Sequence, residues 1–129
     1  MHMDKKRCAE LMAQISVEGE TILKEHVLTY DEILMHILVG ELLTEPLFEL
    51  LKENRDKDLI LKYCDFIELM WREGDEYVVN VVDVTILERL SDDEAIWKQF
   101  GTYISEEFKK YINEEQIPNN LMMPHNYLV

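Results

Sequence analysis

Two places in this 129-residue chain carry residue types that metal binding or catalysis would use. Glu32 and His36 stand four residues apart, which puts both side chains on one face of a helix. A dinuclear iron site needs two Glu-x-x-His units and further carboxylates on partner helices, and the sequence contains no such unit. We therefore expect His36 to be a hydrogen-bonded histidine in or beside the core, and we predict no metal ion and no other cofactor. His26 is expected to be solvated, and His125 to have no orienting partner.

Cys8 is the second candidate, because it follows Lys5, Lys6 and Arg7, whose charges lower the pKa of a nearby thiol. A nucleophile also needs a base and an orienting group, and no histidine partner is identifiable. Cys64 lies among apolar residues and is expected to pack as a small hydrophobic side chain. All four glycines are isolated, which excludes a glycine-rich phosphate loop. We predict that the protein is not an enzyme.

The charge of the chain limits its partners. It has 27 acidic and 13 basic residues, a formal net charge of −14. Such a surface repels phosphate backbones and anionic lipids, so we predict neither nucleic-acid nor membrane binding. The charge exceeds the magnitude of roughly 2–8 that suffices for a small soluble domain, which favours a cationic partner. The chain shows no N-terminal signal segment, so we expect a cytoplasmic protein.

Apolar residues recur at helical spacing along most of the chain, which predicts a single all-α domain over 1–129. Short helices with tight links are typical of a compact bundle or a short curved stack of helical hairpins. The expected helices cover 4–15, 16–28, 31–43, 44–54, 57–73, 76–90, 91–100 and 103–112. Segment 31–43 is too apolar for a surface helix and should be the central one. Pro46 either kinks one long helix or lies in the first turn of a new helix capped by Thr44.

The local preferences of segment 76–90 do not distinguish a strand from a helix. Its β-branched residues favour a strand, but fifteen residues without a breaker are long for a strand and normal for a helix. We predict a buried helix. Asp83 then lies among apolar residues, where an unpaired charge is costly. It either pairs internally with an arginine or tyrosine, which we favour, or faces a groove that a partner's basic group enters.

The C-terminal segment 116–129 has no helical period and contains two prolines. We predict a non-helical tail. Its apolar residues favour docking on the body of the domain over a free, solvated tail; they are Leu121, Met122, Met123, Tyr127 and Leu128.

Acidic clusters suggest a surface that recognises a partner. Carboxylates at helix starts complement the helix dipole, worth about 0.3–1 kcal/mol each, so structure alone explains some of them. For the acidic face we predict Glu41, Glu45, Asp75, Glu76, Asp83, Asp92, Asp93 and Glu94. Tyr77 and Trp97 are the candidate aromatic anchors, and each also suits a place in the core.

The stretch from Tyr30 to Ile112 resembles a family of small bacterial all-helical proteins that serve as immunity partners of polymorphic and contact-dependent toxins. The residues that carry the likeness are Val39-Gly40-Glu41-Leu42, Cys64-Asp65-Phe66-Ile67-Glu68, Gly74-Asp75-Glu76-Tyr77-Val78, Val84-Thr85-Ile86-Leu87-Glu88-Arg89-Leu90 and Phe100-Gly101. The resemblance implies paired short helices similar to a truncated armadillo or HEAT stack, with 76–90 helical and no catalytic residues. Pro46 and the long tail depart from the pattern of that family.

The leading hypothesis is therefore an immunity protein, monomeric when free, that binds a cognate toxin domain. The toxin would be a basic nuclease, for example an RNase of the EndoU type, and the acidic face would cover its active site. The alternative is an antitoxin-like or adaptor module that binds a regulatory protein through an apolar groove and has no nuclease target. Deleting 116–129 is the experiment that the sequence suggests for separating the two.

Overall fold

The computed structural model describes residues 2–121 and 126–129, which form seven helices and, within these ranges, no β-strand. In chain order the helices are α1 (Lys5–Met12), α2 (Gly19–Tyr30), α3 (35–53), α4 (Lys57–Glu73), α5 (76–90), α6 (Glu94–Gly101) and α7 (106–119). The predicted all-α class is confirmed, and 76–90 is a helix. Within the described ranges, none of these helices is both long enough and apolar enough to cross a bilayer.

Three helices contain one wide turn each, in which a backbone N–H bonds to the carbonyl five residues earlier. The wide turns are Gly40–Thr44 in α3, Val82–Ile86 in α5 and Ile112–Gln116 in α7. A proline ring clashes with the carbonyl four residues before it, and a wide turn relieves that clash. Pro46 and Pro118 each follow such a turn.

Pro46 therefore lies inside one long helix, as in the first of its two predicted placements. Thr44 does not cap a new helix, because its hydroxyl donates to the Val39 carbonyl at 3.3 Å. The predicted non-helical tail from 116 is wrong at its start, since α7 continues through Asn119. The wide turn before Pro118 is the reason that the helix does not end there.

Helix α3 is the centre of the domain, as predicted for 31–43, and it packs against α1, α2, α4, α5 and α6. Its apolar side chains at Met35, Leu38, Leu43 and Leu47 are fully buried. Contacts between α3 and α5 occur in the same order along both helices, so the two run in the same direction: His36 meets Thr85, and Glu45 meets Arg89. The likeness to an armadillo or HEAT stack stays a prediction.

The link between α1 and α2 depends on Gly19. A Cβ atom at this position would lie 2.0 Å from the carbonyl oxygen of Ala13, which is too close for any other residue. Only glycine therefore allows segment 14–18 to turn back so tightly at the end of α1. This segment borders the groove described below.

Residues 126–129 dock on α6 and α7, as predicted for the tail. The Trp97 indole Nε1–H donates to the Asn126 carbonyl at 2.6 Å. Asn113 holds Leu128 through two hydrogen bonds of 2.8 Å, and the Leu128 side chain packs over Gly101. Tyr127 is exposed, contrary to the docking predicted for it, because the docked side chains on either side turn it outward. Met122, Met123 and His125 lie outside the described residues.

Candidate protein-binding groove

Most carboxylates predicted for the acidic face have partners inside the molecule. Asp75 accepts a hydrogen bond from the Val78 backbone N–H at 2.9 Å, and Asp93 accepts one from Ile96 at 3.0 Å. Both are helix N-caps, a role typical of aspartate. Glu94 forms an ion pair with Lys98 one turn along α6, at 3.1 Å. These groups stabilise helix starts, and their charges are partly neutralised within the fold.

Glu45 and Asp92 share Arg89. The guanidinium donates to both Glu45 oxygens, at 2.9 and 3.0 Å, and approaches Asp92 at 3.4 Å. It also lies 3.9 Å from the centre of the Phe48 ring. Such a two-bond fork is the favoured geometry of an arginine–carboxylate pair. The cluster joins α3 to α5, and its two carboxylates and one guanidinium leave a net charge of −1.

Asp83 pairs internally, the interpretation that we favoured. The Tyr111 hydroxyl donates to its two carboxylate oxygens at 2.8 and 3.0 Å, and Gln116 donates to that hydroxyl at 2.9 Å. Burial raises the pKa of Asp83, the bond from Tyr111 opposes that shift, and the Glu115 charge adds to it. Burial, the bond to Asp83 and the Asp83 charge raise the pKa of Tyr111, so its hydroxyl stays protonated. Asp83 is therefore part of the link between α5 and α7.

The two aromatic candidates differ in exposure. Trp97 is 0% exposed, so its predicted role as a surface anchor is wrong: it fills the core and its indole N–H is used by the tail. Tyr77 is 42% exposed, with the Lys5 ammonium 5.8 Å from its ring centre. Glu76 is exposed beside it. His36 is hydrogen-bonded as predicted, to the Thr85 hydroxyl, but it lies at the surface.

Two buried polar residues escaped the sequence analysis. His26, expected to be solvated, is 3% exposed, and its Nε2 accepts the Leu34 backbone N–H at 2.9 Å. Glu68, placed by helical period on the polar side of α4, is 5% exposed. It accepts hydrogen bonds from the Ser105 backbone N–H at 2.9 Å and from the Ser105 hydroxyl at 2.5 Å. Glu68 and Ser105 are too distant in the sequence for any spacing to have linked them.

Both cysteines are free thiols buried in the core. Cys8 is buried, and burial together with the Asp75 charge raises its thiol pKa to about 12, the opposite of the effect expected from neighbouring lysines. Burial also raises the thiol pKa of Cys64, which packs in the core as predicted. Across residues 2–121 and 126–129, no three metal-ligating side chains come together.

One groove brings free carboxylates together with exposed apolar surface; we call it the acidic groove. It has a volume of about 330 Å³ and lies where the start of α2, the wide turn of α3 and the start of α4 meet. Its lining residues are Ser16, Glu18, Ile22, Glu41, Leu42, Pro46, Glu49, Leu50, Arg55, Leu59 and Tyr63. Of the predicted partner-binding residues, Glu41 is the one that lines this groove.

The acidic groove carries three carboxylates, on Glu18, Glu41 and Glu49, none of which forms a hydrogen bond or ion pair through its side chain among the described residues. Its single cation, Arg55, is paired with Glu53. No binding role was predicted for Glu18 or Glu49 from the sequence. Only the packing of α2 against α3 places them on one rim.

The floor of the acidic groove also offers an unused polar group. Tyr63 is 2% exposed and lines the groove, and its hydroxyl forms no hydrogen bond in the described part of the chain. Burial and the Glu18 charge raise the pKa of this hydroxyl. A tyrosine at a binding surface combines an apolar ring with a polar end that can bond to a partner.

Comparison with known proteins gives a family but no characterised relative. Neither the search of curated proteins nor the search of solved structures found a match. A model of the family described as "Domain of unknown function (DUF7674)" matches residues 5–119. Because this match covers most of the 129 residues, the chain belongs to the DUF7674 family.

Proposed function

We propose that this protein binds a basic segment of a partner protein in the acidic groove, and that it acts in this way as an immunity protein against a bacterial toxin domain. One observation carries the proposal. Glu18, Glu41 and Glu49 surround an apolar floor and have no role in holding the fold together. In contrast, most of the carboxylates around α5 and α6 are used as caps, in hydrogen bonds or in ion pairs.

The groove suits a lysine or arginine side chain. The aliphatic stem of such a residue packs on the partly buried Ile22, Pro46 and Leu59, while its charged end reaches the rim carboxylates. The hydroxyl of Tyr63 is available to accept one further hydrogen bond. A partner residue with both an apolar stem and a cationic end therefore contacts the apolar floor and the acidic rim at the same time.

A basic nuclease is the form of partner that we propose, because its active site concentrates cationic groups to hold phosphates. The −14 charge of this chain accelerates encounter with such a protein, and desolvated contacts in the groove slow dissociation. Covering the cationic site blocks nucleic-acid substrates by charge and by shape. The protein then needs no catalytic group of its own.

The test compares two triple variants with the same change in net charge. The groove variant is Glu18→Gln/Glu41→Gln/Glu49→Gln. The control is Glu25→Gln/Glu107→Gln/Glu114→Gln, at exposed positions whose side chains form no hydrogen bond or ion pair within residues 2–121 and 126–129. Each is co-expressed with the C-terminal domain of the protein encoded by the adjacent upstream gene, which the proposal predicts to be the toxin, and growth is measured. Kd is then determined by calorimetry at several salt concentrations.

We expect the control to protect nearly as well as the wild type. The groove variant should lose about 2–4 kcal/mol of binding energy, since truncating desolvated charges at an interface has this effect. Affinity of the wild type should fall steeply as salt rises. A complex that is insensitive to salt, or equal losses in the two triple variants, would exclude the proposed site.

An adaptor that has no nuclease target is the second candidate, and the exposed Tyr127 of the docked tail is the observation that favours it. Deleting 116–129 is not a clean test, because this segment contains the end of α7 and the partner of Trp97. Tyr127→Ser removes the exposed ring alone. Loss of binding in this variant, with the groove variant unaffected, would favour the adaptor.

A further inference from the structure

The docked tail, residues 126–129, lies on α6 and α7 as an extended peptide lies in a binding site. Residues 127–129 form no helical turn. Asn126 and Leu128 are buried, whereas Tyr127 is 51% exposed and Val129 is 106% exposed. Such an alternation is typical of an extended chain that presents every second side chain to the surface below it.

Three hydrogen bonds join the docked tail to α6 and α7 among the described residues, and all three go to its main chain. The Asn113 side chain bonds twice to Leu128: its Nδ2 donates to the carbonyl and its Oδ1 accepts the N–H, each at 2.8 Å. The Trp97 indole donates to the main-chain carbonyl of Asn126 at 2.6 Å. Because every polypeptide carries such groups, these bonds select an extended chain and not a particular set of side chains.

Side-chain selection in this site depends on the position of Leu128. A Cβ atom at Gly101 would lie 3.0 Å from the Leu128 Cδ2 atom, so the leucine packs directly against the backbone of α6. The site therefore suits a branched aliphatic side chain at this position, while the residues on either side point to solvent and are free to vary. We call the site formed by Trp97, Gly101 and Asn113 the tail cleft.

Two observations indicate that the docked tail is an exchangeable occupant of the tail cleft. A space of about 210 Å³ stays open beside it, lined by Lys98, Gly101, Thr102 and residues 127–129. The DUF7674 family model matches residues 5–119, so it includes the three residues that form the cleft but not the segment that they hold. The binding residues thus belong to the part of the chain that defines the family, and their occupant does not.

We propose that the tail cleft binds an extended segment of another protein, with a leucine in the place of Leu128, and that the docked tail is its intramolecular substitute. The partner's segment makes the same three main-chain bonds and replaces the tail. Because the tail is tethered, it competes at a high effective concentration, and the partner's segment must exceed that competition. This inference does not rest on the function proposed above, since it uses no residue of the acidic groove.

Three peptides, capped at both ends, test the exchange by NMR on the isotopically labelled full chain. The first has the sequence of residues 124–129, Pro-His-Asn-Tyr-Leu-Val. The second carries Leu128→Asp, and the third carries Tyr127→Ala and Val129→Ala. At millimolar concentration the first should move the protein's own Leu128 amide signal to its unfolded position, while the Trp97 indole signal stays in place because the same bond forms again. The third should act like the first, and the second should have no effect.

A variant of the full chain removes the competition. Leu128→Asp should release the docked tail and leave the cleft open, so the first peptide should bind this variant about tenfold more tightly than it binds the wild type. Val129→Asp, an outward position with the same change of charge, is the matched control and should change peptide binding little. If Leu128→Asp does not fold, Leu128→Ala is the milder variant.

The role of Asn113 is tested in the open variant. Adding Asn113→Asp to Leu128→Asp keeps an acceptor for the peptide N–H but removes the donor to its carbonyl, so affinity should fall about tenfold. Adding Asn80→Asp is the control, because Asn80 is exposed on α5 and its side chain forms no hydrogen bond within the described ranges.

Three results would overturn the proposal. The docked tail is a fixed part of the fold if the first and second peptides act alike or if Leu128→Asp does not tighten peptide binding. Equal effects of Asn113→Asp and Asn80→Asp would show that Asn113 does not recognise the segment. If light scattering shows that the wild type dimerises as its concentration rises and the first peptide dissociates the dimer, the occupant is the tail of a second copy and not a segment of another protein.

Discussion

The surface around residues 75–94 and the acidic groove are both rich in carboxylates, but they use them differently. In the first region Asp75 and Asp93 cap helices, and Glu45 and Asp92 share Arg89. In the groove, Glu18, Glu41 and Glu49 have no such partners among the described residues. Negative charge near a helix start is thus largely structural, whereas charge on a rim without a partner within the fold is available for binding. To find a binding surface among many acidic residues, it is more useful to ask whether each carboxylate has a partner within the fold than to count the residues.

The largest effect that separates the two regions is expected at Trp97. Trp97→Ala removes a fully buried ring and the bond to Asn126, so it should lower the free energy of unfolding by about 3–5 kcal/mol. Urea unfolding measures this, and Trp97→Phe provides a milder variant if the first does not fold. If either variant keeps wild-type stability but loses binding of the partner, Trp97 belongs to the binding surface after all.

A smaller loss is expected from Asp93→Ala, which removes the cap on Ile96. The free energy of unfolding should fall by about 1 kcal/mol, while affinity for the toxin domain should stay the same. The neighbouring variant Asp92→Ala is the control, because Asp92 makes only a long contact with Arg89. The contrast between the regions breaks down if Asp93→Ala weakens toxin binding as much as the groove variant does.

The effect of Asp83→Asn on the free energy of unfolding should depend on pH. Because the pKa of Asp83 is raised in the folded state, the folded protein binds this proton more tightly than the unfolded chain does. Stability therefore falls as pH rises from the ordinary value of 3.8 through the higher folded-state pKa, and the asparagine variant lacks this loss. Since Asp83 is only half-buried, the difference at neutral pH should be a few tenths of a kcal/mol. Unfolding curves at several pH values would contradict this if the two proteins kept a constant difference.

The smallest change in stability is expected in the groove itself. The variant Glu18→Gln/Glu41→Gln/Glu49→Gln should unfold within about 0.5 kcal/mol of the wild type, because these carboxylates hold no part of the fold. Thermal unfolding measures it, with the Glu25, Glu107 and Glu114 triple variant as reference. A loss well beyond that range would show that the rim is structural and would remove the contrast between the two regions.

The sequence correctly predicted the helices and caps that are determined by residues close together in the chain. The apolar period of 57–73 marks α4, and Asp75 and Asp93 stand where helix caps belong. The length of 76–90 outweighed its β-branched composition, because burial against α3 and α4 decides such a segment. Asp83 accepts a hydrogen bond from Tyr111, because a buried carboxylate needs a donor.

What the sequence did not predict depends on contacts between distant residues. Glu68 is buried because it caps Ser105 from another helix, and His26 because it accepts the Leu34 N–H after the chain turns back. Two places were predicted for Trp97, one at the surface and one in the core. The docked tail covers it and accepts its indole N–H, so Trp97 lies in the core. The acidic groove combines three elements, so no spacing along the chain marks it in advance.

The wide turns of α3, α5 and α7 have a consequence for how this chain tolerates changes in length. Each turn holds one residue more than a regular helical turn, so side chains beyond it are rotated by about 100° from an uninterrupted pattern. Deleting one residue elsewhere in a helix rotates the apolar face beyond it away from the core. Deleting one residue within a wide turn instead converts that turn into a regular helical turn. A scan of single-residue deletions along 76–90, where no proline follows the wide turn, should therefore show its mildest effects at Val82–Ile86 when each variant is unfolded by heat. Insertions and deletions among relatives would collect at the same places, leaving the packed faces on either side in register.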